Sequence, residues 1–153
     1  MPKPTIWFTT SLVKHGSRCW IVLPDETTQL WGERSHYYLA GELAGRPFRG
    51  RAERKHHQII LPVGAAWLRD NGVQPAQEFP CELYLESPLV EELADDIRTA
   101  IQADLQAQRF FEDLAPFYRK SYLRWIESAR TPATRARRIA ETVQSLREGR
   151  MQR

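Results

Sequence analysis

The hydrophobic pattern of the chain changes period once, at Ser87-Pro88. Before this dipeptide, short apolar segments rich in β-branched and aromatic residues alternate with turn residues, which is typical of strands. After it, apolar residues recur every three or four positions, which is typical of amphipathic helices. A chain of 153 residues can hold one small domain and a packed helical part. We therefore predict an α+β protein with a β domain at residues 1–87 and a helical module at residues 88–153.

The first half contains several short predicted strands and one predicted helix. Residues 5–24 are predicted to form a hairpin whose turn is KHGSR, and the polar segment DETTQLWGERSH is predicted to be a connector. GAAWLRDNG has the apolar residues and the terminal glycine of a short helix, and EFPCELYLE alternates as a strand does. Short strands at close spacing with a single helix favour a small β-barrel over an open sheet.

Three helices are predicted in the second half. The first begins with Ser87 as N-cap and Pro88 in the first turn, and its apolar stripe ends at Leu105. The second begins at Pro116, and the third begins at Thr131-Pro132 and ends near Gly149.

The sequence offers no motif for membrane crossing, secretion or disulfide chemistry. No apolar run approaches the roughly 18 residues that span a bilayer, and the N-terminus has no secretory pattern. Cys19 and Cys81 are far apart and lack CxxC spacing, so reduced core cysteines are favoured. We expect a cytoplasmic protein without membrane insertion.

The sequence also lacks known catalytic and metal-binding motifs. The adjacent His56 and His57 would point to opposite faces of a strand, and no further ligand stands at a suitable spacing. The chain contains no GxSxG, GxGxxG or GxxxxGK[ST] motif. We therefore expect no metal, no cofactor and no catalytic residue, although an enzyme with a pocket in the barrel stays open as a third hypothesis.

Charge is distributed very unevenly along the helical half. The segment from Glu86 to Pro116 has eight acidic residues against two arginines, whereas basic residues dominate from Phe117 onward. One explanation is mutual docking, in which the acidic segment neutralises the basic one. The other is a basic face that is left free for an anionic partner such as nucleic acid.

Seven residues are candidate binding residues. The arginines of the segment RPFRGRAERKHH would lie on an exposed strand, those of the last helix would share one side, and Trp31 stands beside a glycine in a polar connector, where exposure is expected. The candidates are Arg46, Arg49, Arg51, Arg54, Arg135, Arg138 and Trp31. The other tryptophans, at positions 7, 20, 67 and 125, are expected to pack in the core. Charged edge strands and solvated basic helices also occur without any ligand, so that explanation stays open for the arginines.

Residues 110–150 carry a set of motifs that occur together in a known module. F-x-x-L is present at Phe111 and Leu114, W-I-x-x-A-[KR] at residues 125–130, T-R-x-x-R-I at residues 134–139, and G-[KR] at residues 149–150. Lysine is more usual than arginine at position 130. The segment resembles the C-terminal module of the YdeI/OmpD-associated, or bacteriocin-protection, family.

The first half resembles the small β-barrel domain of unknown function that often precedes this module. VLP at residues 22–24, LAGRPFRG at residues 43–50, ILPV at residues 60–63 and LRDNGV at residues 68–73 carry the resemblance. The segment PAQEF differs from the usual Gly-Asp before the last strand. The resemblance implies a double-split β-barrel, distantly similar to DNA-binding domains of some transcription regulators and antitoxins.

The resemblance also implies a link to stress and to bacteriocin or antimicrobial-peptide tolerance, without an established biochemical activity. Our leading hypothesis is a non-catalytic binding or protective protein of a bacterial cytoplasm, whose ligand or protein partner the sequence leaves open. The alternative is a nucleic-acid-binding regulator that uses the basic last helix and the basic strand. The oligomeric state is left open as well.

Overall fold

The computed structural model describes residues 3–152, and the chain divides between Glu86 and Ser87 into two compact units. The unit before this boundary, called here the N-terminal unit, is built mainly of strands. The unit after it, called the C-terminal unit, is helical. The α+β class predicted from the sequence is confirmed.

Within the described residues, the N-terminal unit contains seven strands and two helices. The strands are β1 Thr5–Thr10, β2 Val13–His15, β3 Arg18–Leu23, β4 His36–Leu43, β5 Arg46–Lys55, β6 Gln58–Pro62 and β7 Phe79–Leu85. The helices are α1 Glu26–Trp31 and α2 Ala65–Asn71. Helix α2 and strand β7 are as the sequence predicted, and Gly72 ends α2 with a φ of 68°.

The seven strands form one curled antiparallel sheet, a half-barrel, in the order β1-β7-β4-β5-β6-β3-β2. Because side chains alternate between the two faces of a strand, one face of the sheet is apolar and lines the core. The core includes the fully buried Leu39, Ala52, Leu61 and Leu83. Strands β1 and β2 are the two edges of the sheet.

The predicted hairpin at residues 5–24 is wrong. Strand β1 pairs with β7, from Thr5 opposite Tyr84 to Thr10 opposite Phe79, whereas β3 pairs with β2 and β6. The local turn closes only the short β2–β3 pair. Strand β1 contributes Ile6 and Phe8 to the common core. Its pairing therefore depends on residues far along the chain, which the residues of the nearby turn do not predict.

In the part of the C-terminal unit that the structure describes, one short 3₁₀ turn, Val90–Glu92, precedes four α-helices. The helices are α3 Asp95–Gln102, α4 Leu105–Asp113, α5 Pro116–Glu127 and α6 Pro132–Arg147. They pack around a core that includes Ile97, Ile101, Phe111, Tyr122 and Ile126. The predicted starts of α5 and α6 are confirmed, and the Thr131 side chain caps α6 by accepting a hydrogen bond from the Thr134 N–H.

The prediction of three helices is wrong, because the predicted first helix is divided. Ser87 does not cap a helix. Its hydroxyl and the Leu89 N–H both donate to the Glu92 carboxylate, at 2.7 and 2.8 Å. Asp104 starts a new helix by accepting a hydrogen bond from the Ala107 N–H. Leu105, which the sequence placed in one continuous apolar stripe, is 60% exposed.

Candidate functional site

Two ion pairs join helix α6 to acidic residues that precede it in the chain. The Arg135 guanidinium donates two hydrogen bonds to the Asp96 carboxylate, at 2.7 and 3.0 Å. The Arg147 Nε donates to Asp104 Oδ2 at 2.5 Å. Of the two explanations for the uneven charge, the structure therefore shows mutual pairing at these two positions.

The same contacts shift the pKa values of the paired groups. The hydrogen bond from Arg135 lowers the pKa of Asp96, and the Asp96 carboxylate raises the pKa of Arg135. The pKa of Asp104 is lowered first by the backbone N–H of Ala107 and then by Arg147. Because hydrogen bonds and nearby cations favour the ionised carboxylate, both acids are charged at neutral pH.

Arg138 is also engaged within the C-terminal unit. Its Nη1 donates to the Trp125 carbonyl at 2.7 Å and to the Ser128 hydroxyl at 2.8 Å. Its guanidinium lies over the Trp125 ring, 5.1 Å from the ring centroid. A phosphate would have to compete with these contacts, so Arg138 fastens α6 to the end of α5.

Arg119 is a buried arginine that is not among the residues predicted from the sequence. It is only 3% exposed, and its guanidinium donates to the backbone carbonyls of Leu114, Glu112 and Pro88, at 2.8, 3.2 and 3.0 Å. The sequence did contain a signal, because Arg119 precedes the apolar Tyr122 by three positions and therefore shares its face of α5.

Two arginines of β5 point to the outer face of the sheet, because side chains alternate between the two faces of a strand. Arg49 forms an ion pair with Glu86. Arg51 forms an ion pair with Glu53, and its guanidinium lies 5.9 Å from the centroid of the Tyr38 ring. These pairs partly neutralise the basic strand from within the N-terminal unit.

The other two candidate arginines of β5 differ from each other. Arg54 is half-buried on the opposite side of the strand, where its Nη2 donates to the Thr28 hydroxyl at 2.9 Å. Arg46 is exposed at the start of β5. The strand therefore does not present its four candidate arginines on one face.

Trp31 is buried, and its predicted exposure is wrong. Only 5% of the residue is exposed. The segment interpreted as a polar connector contains α1, and Trp31 ends this helix against Tyr37, with ring centroids 5.8 Å apart. The indole N–H donates to the Pro4 carbonyl at 3.0 Å, so Trp31 is a core residue.

The exposed tryptophan is Trp7, for which core packing was expected, and that expectation is also wrong. Trp7 is 70% exposed at the middle of β1. Its cross-strand neighbour on β7 is Glu82, and the neighbour of Glu82 on β4 is Glu42. Directly opposed residues of antiparallel strands share a face, so Trp7 and two exposed carboxylates form one row on the outer face. We call this row the Trp7–Glu82–Glu42 patch.

The N-terminal unit also has an open cavity of about 530 Å³ between the β2–β3 hairpin and α2. Lys14, Cys19, Leu68 and Arg69 are among the residues that line it. Histidine and carboxylate groups, which ordinarily activate a thiol, are not among the described residues that line this cavity. The described lining of this cavity therefore brings neither a histidine nor a carboxylate to the Cys19 thiol.

His56 and His57 form the turn between β5 and β6, with φ values of 49° and 69°, and both are exposed. Their predicted position in a strand is wrong, since β5 ends at Lys55 and β6 begins at Gln58. Across residues 3–152, no group of three or more His, Cys, Asp or Glu side chains is arranged to hold a metal ion.

None of the described helices is long and apolar enough to cross a membrane.

A comparison with known protein families finds a match in the C-terminal unit. Residues 92–149 match the model of the family described as Bacteriocin-protection, YdeI or OmpD-Associated. The match covers four helices of the C-terminal unit, and a β-rich region precedes it. The resemblance stated from the motifs of residues 110–150 is thereby confirmed. No curated protein matches the chain.

Proposed function

We propose that the protein is a non-catalytic binding protein of a bacterial cytoplasm that contributes to protection against bacteriocins or other antimicrobial peptides. The match of residues 92–149 to the bacteriocin-protection family carries this proposal. A protective role without chemistry requires a stable scaffold and a surface that holds the toxic peptide.

The contacts inside the C-terminal unit support a scaffold role for three of its arginines. Arg135 is paired with Asp96, Arg138 holds α5, and Arg119 is bonded to three carbonyls. Phosphate contacts that give nucleic-acid affinity need cations whose donors face solvent. The internal use of these donors favours the protective binder over the nucleic-acid-binding regulator.

The cavity beside Cys19 supports the non-catalytic part of the proposal. A thiol becomes a strong nucleophile when a neighbouring base or cation stabilises the thiolate. Lys14 and Arg69 line the same cavity, but its described lining has no histidine or carboxylate to take up the proton in an acyl transfer. We therefore place the activity in binding.

A survival experiment tests the proposed function. Bacteria that produce the chain and bacteria with an empty vector are exposed to graded amounts of a cationic antimicrobial peptide and, separately, of a small non-peptide antibiotic. We expect the inhibitory amount of the peptide to rise with the chain, whereas that of the antibiotic stays unchanged. Equal peptide sensitivity at confirmed protein production would refute the proposal.

Cell fractionation tests the proposed location independently. The chain should appear in the cytoplasmic fraction together with a known cytoplasmic enzyme. Recovery with the periplasmic or membrane fraction would contradict the location without contradicting protection.

A further inference from the structure

The two edges of the half-barrel are protected to very different degrees. Proteins ordinarily guard an edge strand by keeping it short or by adding charges, especially lysine, or proline. Strand β2 follows this rule, because it has three residues and Lys14 at its centre. Strand β1 does not, because its six residues, TIWFTT, include no charge, proline or glycine.

Strand β1 has a paired side and an open side. In the described part of the chain it pairs only with β7. On its other side, β1 has no strand partner and no backbone hydrogen bond to another part of the described chain, so its outward N–H and C=O groups can pair with an added strand. Addition of a strand to such an edge is a recurring mode of peptide recognition, in which backbone hydrogen bonds give affinity and alternate side chains give specificity.

The outer face beside this edge is both aromatic and acidic. Trp7 is 70% exposed at the middle of β1. Glu82 and Glu42 are directly opposed on β7 and β4, and like charges in that arrangement repel each other. Among residues 3–152 neither carboxylate has an ion-pair partner, although the arginines further along the same face do. The carboxylates of Glu82 and Glu42 can therefore pair with cations that a partner supplies.

We propose that strand β1 binds an extended cationic peptide by strand addition, with basic side chains of the peptide over Trp7 and directed toward Glu82. This inference rests on the proposed function, since it names the surface on which the protective binder holds its peptide. The occupant is a peptide, because the outward backbone groups of β1 can pair with an extended chain, and the carboxylates of Glu82 and Glu42 favour positive charge.

The spacing of a sheet fits this arrangement. Neighbouring strands lie about 4.8 Å apart, so a lysine or arginine opposite Trp7 would start about 10 Å from the Glu82 backbone. Its long side chain can cross the indole face, where a cation–π contact is favourable, and approach the carboxylate. The alternate peptide residues would face the side of Ile6 and Phe8, which favours apolar residues there.

Three labelled peptides of eight residues separate charge from strand pairing. One alternates lysine with valine, the second alternates glutamate with valine, and the third alternates lysine with proline. The lysine–valine peptide should bind the full chain in a fluorescence anisotropy titration, and the other two should bind at least about tenfold more weakly. Equal binding of the lysine–proline peptide would refute strand addition, because proline has no N–H to donate.

Three variants locate the site. Trp7→Ala should weaken the lysine–valine peptide at least about tenfold, which is typical of a central aromatic anchor. Thr9→Lys should weaken binding of this peptide to a similar extent, because a charged side chain on an edge strand opposes the pairing of another strand. Glu82→Gln should weaken binding about threefold and reduce its dependence on salt. The matched controls are Phe117→Ala, which removes an aromatic that is 65% exposed, and Glu91→Gln.

The outcomes separate this inference from the proposed function. If the peptide binds the wild-type chain and all three variants equally, the site is elsewhere and only the inference fails. If the wild-type chain binds no lysine–valine peptide, the inference fails, and the survival experiment decides the proposed function by itself. If both binding and protection are absent, both fail.

Hydrogen exchange of the backbone amides shows directly whether the peptide binds at β1. Amide exchange of residues 5–10 should slow when the lysine–valine peptide is added, while exchange at β2 stays unchanged. Sedimentation of the free chain tests the other occupant of an open edge. A dimer that Thr9→Lys dissociates would mean that β1 binds a second copy of the chain, and this would overturn the proposal.

Discussion

The buried Arg119 should contribute more to stability than any exposed cation of helix α5. Arg119→Met removes the donors of three backbone carbonyls, at distances of 2.8 to 3.2 Å. Leaving a buried acceptor without its partner costs about 1–3 kcal/mol. The third carbonyl, of Pro88, and the Glu112 carbonyl are in partly buried contacts, where water can replace part of the loss. We therefore expect the free energy of unfolding to fall by about 3 kcal/mol or more.

The adjacent Lys120 supplies the matched control, because it is exposed on the same helix. Lys120→Met should change the free energy of unfolding by no more than about 0.5 kcal/mol. Both variants are unfolded in urea and followed by far-ultraviolet circular dichroism, with amide exchange of residues 112–119 as a local measure. If Arg119→Met costs no more than Lys120→Met, then the carbonyl contacts do not stabilise the C-terminal unit and the scaffold argument is wrong.

Asp96→Asn should destabilise the chain by at most about 1 kcal/mol at pH 7, as expected for a surface pair. Because Arg135 lowers the native pKa of Asp96, this difference in urea unfolding should shrink as the pH falls below about 4, where the unfolded acid becomes protonated. Trp31→Phe should cost about 1 kcal/mol through the lost indole hydrogen bond, and Trp31→Ala about 3–5 kcal/mol, both measured by urea unfolding; a loss near zero for the alanine variant would contradict its burial. Iodoacetamide at pH 8 should modify Cys19 before Cys81, as followed by mass spectrometry, because burial raises the pKa of Cys81 to about 12; faster modification of Cys81 would show that its strand opens.

Local signals predicted the elements that local residues control. Pro116 and the Thr131-Pro132 pair begin helices, because a cap and a proline act within one turn. The single predicted helix at residues 88–105 failed, since the apolar stripe continues across Asp104. A continuous apolar stripe indicates that residues face the same core, but it does not show that they belong to one helix. Here the Ala107 N–H donates a hydrogen bond to the Asp104 side chain, and this bond caps the start of a separate helix.

The candidate site was harder to predict, because exposure depends on distant pairing. Trp31 was expected to be exposed because its neighbours are polar, but a short helix buries it against Tyr37. Trp7 was expected in the core because it lies on an apolar strand. Because side chains alternate along a strand, Trp7 lies on the face opposite Ile6. Its high exposure also depends on the position of β1 at the edge of the sheet.

The charge pattern predicted two alternatives, mutual pairing or a free basic face, but it did not decide between them. The acidic segment and the basic helix can neutralise each other only if the chain folds back on itself. That depends on the packing of α3, α4 and α6, which places Asp96 beside Arg135 and Asp104 beside Arg147. The sequence alone does not specify this packing.

The most direct test of the central claim compares two ligands on one protein. The labelled lysine–valine peptide and a labelled mixed-sequence single-stranded DNA are titrated side by side with the full chain, at about 50 and 200 mM salt, the range over which phosphate contacts lose affinity steeply. A binding protein for cationic peptides should saturate with the peptide and leave the DNA free at both salt concentrations. Micromolar DNA binding that collapses at the higher salt, together with no peptide binding, would contradict the account and establish the regulator instead.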